Sequence, residues 1–220
     1  NVTLLFGLDN YAQVAFAYIN GLENRKSRGM KIDRIASVAS FFVSRVDTVI
    51  DEILNKFINE ASSEEEKYKL RSLLGLAAVS NAKVAYDKYK EIFTSDRFTR
   101  LADKGARVQR CLWASTSTKN PSYRDTLYVD SLIGPETVNT MPQSTVDAFR
   151  DHGVVSNKLE NDLDCAYDNL RQIGDVGILF SEVTDNLQAN GVQAFVDSYD
   201  DLMACIEQKR QSVAQNSDGR

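Results

Sequence analysis

Two cations stand where a phosphate could be gripped. Arg45 ends the stretch Ser40-Phe-Phe-Val-Ser-Arg45 at the opening of a helix, and Lys119 lies in Trp113-Ala-Ser-Thr-Ser-Thr-Lys-Asn-Pro121, a hydroxyl-rich loop before a helix start. Each stretch follows an apolar run that reads as a strand. Helix N-termini offer free N–H groups and the positive end of a dipole, which suits a phosphate dianion. Arginine adds a planar fork and lysine a point charge. The plain alternative is that Arg45 pairs with Asp47 and Lys119 is merely solvated. The pattern by itself leaves both open.

Other reactive groups are few. Asn1 and Thr3 point to one face of the first strand, opposite Val2, Leu4 and Phe6, because strand side chains alternate. With the apolar set against a helix layer, an amide and a hydroxyl face the interior, where they need partners; ordinary satisfied core groups would look the same. The single histidine, His152, sits in Asp-His-Gly at a helix end and reads as a C-terminal cap. No Ser/His/Asp or Cys/His pairing can be built around it, and neither GxGxxG nor a P-loop occurs. None of the predicted strands contains Asp, Glu or Lys, and Arg107 and Arg110 are their only cations. General acid–base work needs a positioned titrating group, and carbonyl chemistry through an amine needs a desolvated lysine. Lys119, in a polar loop, is a poor candidate. The stretch therefore reads as a half-site that binds a phosphate without running a reaction.

The elements that must hold these groups alternate. Residues 1–6 form a short β-rich run closed by Gly7, and a helix follows from about Asp9 with Tyr11, Val14, Ala15 and Tyr18 on one face. Residues 24–29 read as a polar turn and 35–42 as the next strand. Val46, Val49, Ile50, Ile53, Leu54, Phe57 and Ile58 recur at spacings of three and four, an unbroken helical stripe. Ser62 or Ser63 with Glu65 or Glu66 resembles a capping box, opening one long helical region to about Phe93. Residues 107–115 are the third strand, and Asn120-Pro121 predicts a helix to about Leu132. Residues 137–141 are the fourth strand, and Pro142 introduces a helix closed by Gly153. Strands alternating with helices predict parallel β/α units. An all-helical tail follows, with one stripe at Leu163, Ala166, Tyr167 and Leu170 and a longer one at Val192, Phe195, Val196, Tyr199, Leu202, Met203 and Ile206. Fraying is expected after about Val213.

Bulk properties narrow the classes. With 220 residues, 43% hydrophobic, the chain can build a sizeable core or a large piece of one. A net charge of -5 gives nucleic acid no global field to follow, so anions must be bound by a few placed cations. Three widely separated cysteines, Cys111, Cys165 and Cys205, show neither a disulfide framework nor a zinc pattern, and a reducing compartment is expected. No apolar run approaches the roughly 20 residues a membrane span requires. Asn1 is not a methionine and already lies in a predicted strand, so a preceding segment is expected, and any targeting signal with it.

Four segments, in order, resemble transaldolases. Asn1-Val-Thr-Leu-Leu-Phe6 is similar to that family's fifth-strand motif, and Ser37-Val-Ala-Ser-Phe-Phe-Val-Ser-Arg-Val-Asp47 to its sixth strand and loop. Gln109-Arg-Cys-Leu-Trp-Ala-Ser-Thr-Ser-Thr-Lys-Asn-Pro121 is similar to the seventh, in the form of the longer plant and bacterial members, and Val138-Asn-Thr-Met-Pro142 to the eighth. The resemblance implies an α/β fold, a (β/α)8 TIM barrel of class I aldolase type, of which this chain supplies strands 5–8 plus C-terminal helices. Residues 1–155 would be the second half of the barrel and 156–220 a helical extension packed on it. The implied activity is transfer of a dihydroxyacetone unit between sugar phosphates through a lysine Schiff base, without cofactor or metal.

Residue by residue, the resemblance implies that Asn1 and Thr3 are catalytic, with Thr3 near the proton relay. Ser40 would touch the dihydroxyacetone end, and Arg45, Lys119 and Ser117 would hold the sugar phosphate. Lys119 stands where many members carry arginine, which changes phosphate geometry but keeps the charge. The Schiff-base lysine and two acidic partners belong on strands preceding Asn1. Expected partners are sugar phosphates and the missing N-terminal half of the same protein, with a homodimer allowed and neither nucleic acid nor membrane. The expected location is the cytoplasm, or a plastid for a plant or alga. Two other readings stand beside this one: a truncated, inactive sugar-phosphate-binding or scaffolding remnant, and another lysine-dependent aldolase on the same barrel.

Overall fold

The computed structural model describes residues 1–217, with side chains to Val213. Four strands, β1 (Val2–Leu5), β2 (Ser37–Phe42), β3 (Gln109–Ala114) and β4 (Thr137–Asn139), form one sheet in the order β1-β2-β3-β4, every pair parallel. Each neighbour is the next strand in sequence, so every connection is a β/α crossover of one kind. The α/β class with parallel strands follows, and the arrangement is consistent with a TIM-type barrel. β1 and β4 each have one unpaired edge among the described residues.

Helices supply the crossovers. α1 (Leu8–Ser27) joins β1 to β2; α2 (Ser44–Glu60), α3 (Glu64–Arg71), α4 (Ala77–Phe93) and α5 (Asp96–Ala102) lie between β2 and β3; α6 (Leu127–Ser131) precedes β4. α7 (Gln143–His152), α8 (Leu163–Asp175) and α9 (Phe180–Ser217) follow. The core forms where one sheet face meets α1: Phe41 packs edge-on against Tyr11 at 6.3 Å and against Trp113 at 6.2 Å. Cys111 is buried there, 3.6 Å from the Tyr11 hydroxyl, and burial pushes its thiol up to about 12.

Several expectations change against this fold. α1 takes in the first four residues of the predicted turn at 24–29, since its charged straight-chain residues are good helix formers; the turn itself is confined to Arg28 and Gly29, the latter at φ +71°. The capping box is present, with Ser63 accepting from the Glu66 N–H and Glu66 from the Ser62 N–H. The long helix it opens is nonetheless cut in two at Gly75, whose φ of +73° no helix accommodates. α5, unforeseen, is capped by the Ser95 hydroxyl. No helix begins at Asn120-Pro121: Asn120 caps only a turn, accepting from the Ser122 N–H at 2.9 Å, and helix returns for five residues at α6.

The predicted alternation in β1 also breaks. Leu4 sits at φ +62°, and the register slips so that Val2 pairs with Ala39 but Leu5 with Phe41. Leu4 and Leu5 are both buried, while Val2 and Thr3 are exposed.

In the tail, the stripe from Val192 to Ile206 is exposed along α9 rather than packed, whereas Val183, Thr184 and Leu187 near the start of the same helix are buried. Gly191 marks the crossing of α9 over β1, where an added Cβ would stand 3.0 Å from the Leu4 side chain. Helix continues past Val213 to Ser217, and the expected fraying of residues 218–220 lies outside the described residues. Among the described residues, no helix is long and apolar enough to cross a membrane.

Candidate functional site

The C-terminal ends of β2 and β3 are joined side by side, and both predicted cations leave from there. The Val43 N–H donates to the Ala114 carbonyl and the Ser44 N–H to the Ser115 carbonyl, each at 3.0 Å. The two serine hydroxyls then meet at 2.8 Å. Arg45 follows directly as the second residue of α2. Its guanidinium lies 5.7 Å from the centre of the Phe42 ring, a contact in which the ring face attracts the cation. Arg45 and Asp47 form no ion pair, so the plain alternative for Arg45 is not what the fold contains.

Face matters as much as end. Phe41 points into the helix-side core, so Ser40 and Phe42 occupy the opposite face of the sheet. There the Ser40 hydroxyl donates to the Asn1 side-chain carbonyl at 2.8 Å. Arg45, leaning over Phe42, overhangs the face that carries Ser40 and Asn1. Ser40 is buried; Asn1 and Thr3 are exposed rather than interior, on a strand whose outer edge is open.

The loop after β3 supplies the second cation. Lys119 Nζ donates to the Ser117 hydroxyl at 2.9 Å, and Lys119 is exposed. Thr116 anchors the loop's start by donating to Asn139 Oδ1 at 2.8 Å and lying 3.1 Å from the Thr140 carbonyl. With no helix at Asn120, the phosphate-binding dipole foreseen there does not exist; α2 is the helix whose N-terminus remains beside the site. Arg45, Ser117 and Lys119 thus share one end of the sheet, and Ser40 with Asn1 lines the face below.

His152 is the last residue of α7, at the helix end as expected, with Gly153 as the cap. Its ring nitrogens lie 2.8 Å from Asp125 and 3.0 Å from Asp151, and both contacts raise its pKa. A cavity of about 630 Å³ lined by Asn1, Ser37, Arg107, Arg110 and Glu136 opens at the opposite, N-terminal end of the strands. It shares Asn1 with the face that carries Ser40, but it lies away from the C-terminal strand ends, where working residues of parallel barrels sit.

One constellation was missed from sequence. Asp47 and Asp51, one turn apart on α2, are both buried. Asp47 accepts from the Ala78 N–H at 2.7 Å and the Tyr128 hydroxyl at 2.8 Å. Asp51 accepts from the Gly75 N–H at 2.9 Å and the Tyr123 hydroxyl at 2.5 Å. Burial pushes the Asp47 carboxyl up to about 6 and raises Asp51 as well. The available signal was two aspartates spaced four apart beside a strongly apolar stripe.

The sequence profile described as Transaldolase/Fructose-6-phosphate aldolase matches residues 1–206. A protein named Transaldolase from Trichodesmium erythraeum (strain IMS101) is 45% identical over 211 residues, covering 95% of this chain and 56% of the relative. Transaldolase 2 from Nostoc sp. (strain PCC 7120) is 46% identical over 212 residues, with the same coverage of 95% and 56%. Transaldolase from Thermobifida fusca (strain YX) is 45% identical over 210 residues, covering 95% and 55%. The chain spans a little over half the length of the curated relatives it matches.

Proposed function

The chain belongs to the transaldolase/fructose-6-phosphate aldolase family, and from that premise we propose that it forms the phosphate-gripping half of a transaldolase. The reaction moves a dihydroxyacetone unit from sedoheptulose 7-phosphate to glyceraldehyde 3-phosphate, giving erythrose 4-phosphate and fructose 6-phosphate, in the non-oxidative pentose phosphate pathway. The observation that carries this reading is the shared end of β2 and β3, where the Ser44–Ser115 pairing brings the Arg45 and Lys119 loops side by side above Ser40.

Each residue then has a chemical task. Arg45 and Lys119, with the Ser117 hydroxyl, hold the sugar phosphate. Ser40 and Asn1, already hydrogen-bonded to each other, meet the hydroxyls of the dihydroxyacetone unit. Thr3, on the open edge of β1, takes part in the proton relay at the Schiff base. No lysine lies on any of the four strands, so the amine that bonds to the ketose is assigned to the complementary half of the barrel. Strands 5–8 are the share assigned to residues 1–155. Residues 156–220 are the extension that packs on the barrel, and the exposed stripe of α9 is apolar surface available to that complement. Sugar phosphates are the small-molecule partners, a homodimer is compatible with this reading, and the cytoplasm is the location, or a plastid in a plant or alga.

Borohydride trapping of the full-length protein with fructose 6-phosphate tests the chemistry. A covalent adduct on a lysine outside these 220 residues is the expected result; no adduct with any ketose phosphate sinks the proposal. A second reading is a truncated, catalytically inactive sugar-phosphate-binding or scaffolding remnant. Intact mass of the source material separates the two. A species well above 24.6 kDa supports the enzyme, and one at that mass supports the remnant.

A further inference from the structure

The buried aspartates of α2 hold the loop that carries Lys119, and through it the spacing between the two cations. Residues 115–126 contain no helix or strand, yet both ends and the middle of this segment are fixed. Its start is tied to Ser44 and Asn139. Its end is tied to α7, where Arg124 donates to the His152 carbonyl and Asp125 meets the His152 ring. In the middle, four residues after Lys119, the Tyr123 hydroxyl reaches Asp51 on α2. Tyr128, just inside α6, reaches Asp47 on the same helix. Since α2 begins with Ser44-Arg45, these two phenol–carboxylate contacts fasten the Lys119 loop to the helix that carries Arg45.

The clasp is built rather than incidental. Both carboxylates are occupied on their other oxygen by backbone N–H groups, Ala78 for Asp47 and Gly75 for Asp51. Gly75 adopts φ +73°, and any Cβ there would come within 2.8 Å of the Tyr123 ring. Among the described residues, no lysine, arginine or histidine nitrogen forms an ion pair with either aspartate. Two carboxylates held without a counter-ion in a buried position are costly for stability alone. They are the strongest acceptors a phenol can find, which makes the contact directional.

We infer that Tyr123 and Asp51, supported by Tyr128 and Asp47, are positioning residues that set the Arg45-to-Lys119 geometry for the phosphate of the substrate. The inference rests on the phosphate-site reading above and adds to it the groups that tune phosphate affinity without touching the ligand. A phosphate clamp is sensitive to such spacing because small displacements of positioning groups are felt strongly in rate.

The test is the ratio of kcat/KM for fructose 6-phosphate to that for unphosphorylated fructose, measured on the full-length protein and its Tyr123→Phe variant. The expected result is a fall in that ratio of roughly fivefold or more, carried by a higher KM for the phosphorylated donor, with kcat within about twofold. Loss of folded protein alone would scale both donors equally and leave the ratio unmoved. Asp51→Ala repeats the measurement if Tyr123→Phe folds poorly, because it leaves the Tyr123 hydroxyl with neither acceptor nor donor at that position. A wild type that ignores the phosphate overturns the phosphate-site reading itself. A wild type that prefers it, with both variants retaining the full ratio, overturns the clasp and leaves that reading standing.

Discussion

Ser44 and Ser115 stand hydroxyl to hydroxyl at 2.8 Å, and the Ser44 N–H also donates to the Ser115 carbonyl at 3.0 Å. This double tie carries the β2–β3 pairing past the last sheet partners, Phe42 and Ala114. Arg45 and the Lys119 loop both start from it, so the sheet fixes where each begins, and the contacts of Tyr123 and Tyr128 with α2 hold the loop beyond that point.

Removing either cation is expected to weaken use of a phosphorylated donor by roughly 10- to 100-fold in kcat/KM, the value of a hydrogen bond to a charged group. Arg45→Lys is expected to restore the charge but not the planar fork, and to recover only part of the loss. Steady-state kinetics of full-length Arg45→Ala, Arg45→Lys and Lys119→Ala with fructose 6-phosphate measure this. Equal activity in all three would show that the phosphate is held elsewhere.

Stability should depend on pH through Asp47. Burial raises its carboxyl to about 6, above the usual carboxylate value of the unfolded chain. Between those two values the native state binds a proton that the unfolded chain has released. The contribution of Asp47 is therefore most favourable below the lower value, and it is lost as pH rises toward about 6, by roughly 1.4 kcal/mol per unit. Asp51 is raised in the same direction by its own burial. Paired surface carboxylates such as Glu23 and Asp168 are lowered and slope the opposite way. The difference in unfolding free energy between wild type and Asp47→Asn isolates the term. It should shift in favour of the variant as pH rises from about 4 to 6, and a flat difference would refute it.

Gly75→Ala combines a left-handed φ of +73° with a Cβ 2.8 Å from the Tyr123 ring. The expected cost is roughly 1–3 kcal/mol, read as a lower midpoint in thermal or urea unfolding. Gly21→Ala is the control: it sits within α1 with open space around its Cβ. It should be neutral or stabilising, since alanine is the better helix former.

The stripe on α9 should behave as exposed apolar surface in the 220-residue chain. Phe195, Tyr199 and Leu202 are all more than half exposed, at 62%, 61% and 55%. Replacing Phe195 and Tyr199 with glutamate is expected to reduce binding of a hydrophobic dye and self-association in sedimentation. The unfolding midpoint should change little, because surface substitutions stay within about 0.5 kcal/mol. A large drop in stability would mean that these side chains pack against the body of the chain.

Much of the fold could be read directly. The stripe from Val46 to Ile58 fixes α2 because recurrence at three and four residues leaves only one way to bury those side chains. Four apolar runs separated by helical stretches of crossover length leave the parallel arrangement as the natural solution. The breaks were harder. Gly75 ends a helix only because its backbone is drawn over Tyr123 and Asp51, groups 48 and 24 residues away. The register slip at Leu4 likewise depends on pairing with β2 rather than on the sequence of β1.

For the site, residue type and strand-end position singled out Arg45 and Lys119, since both follow from local pattern. Whether Arg45 would meet Asp47 or a ring was decided by packing, which buried Asp47 under Tyr128 and left the guanidinium over Phe42. Local periodicity determined which elements form and which of their faces are apolar, because those depend on residues within a few turns. Only the tertiary structure decided which apolar faces found partners and which polar groups met. Those outcomes depend on contacts between residues tens of positions apart, whose energies exist only once the chain has closed upon itself.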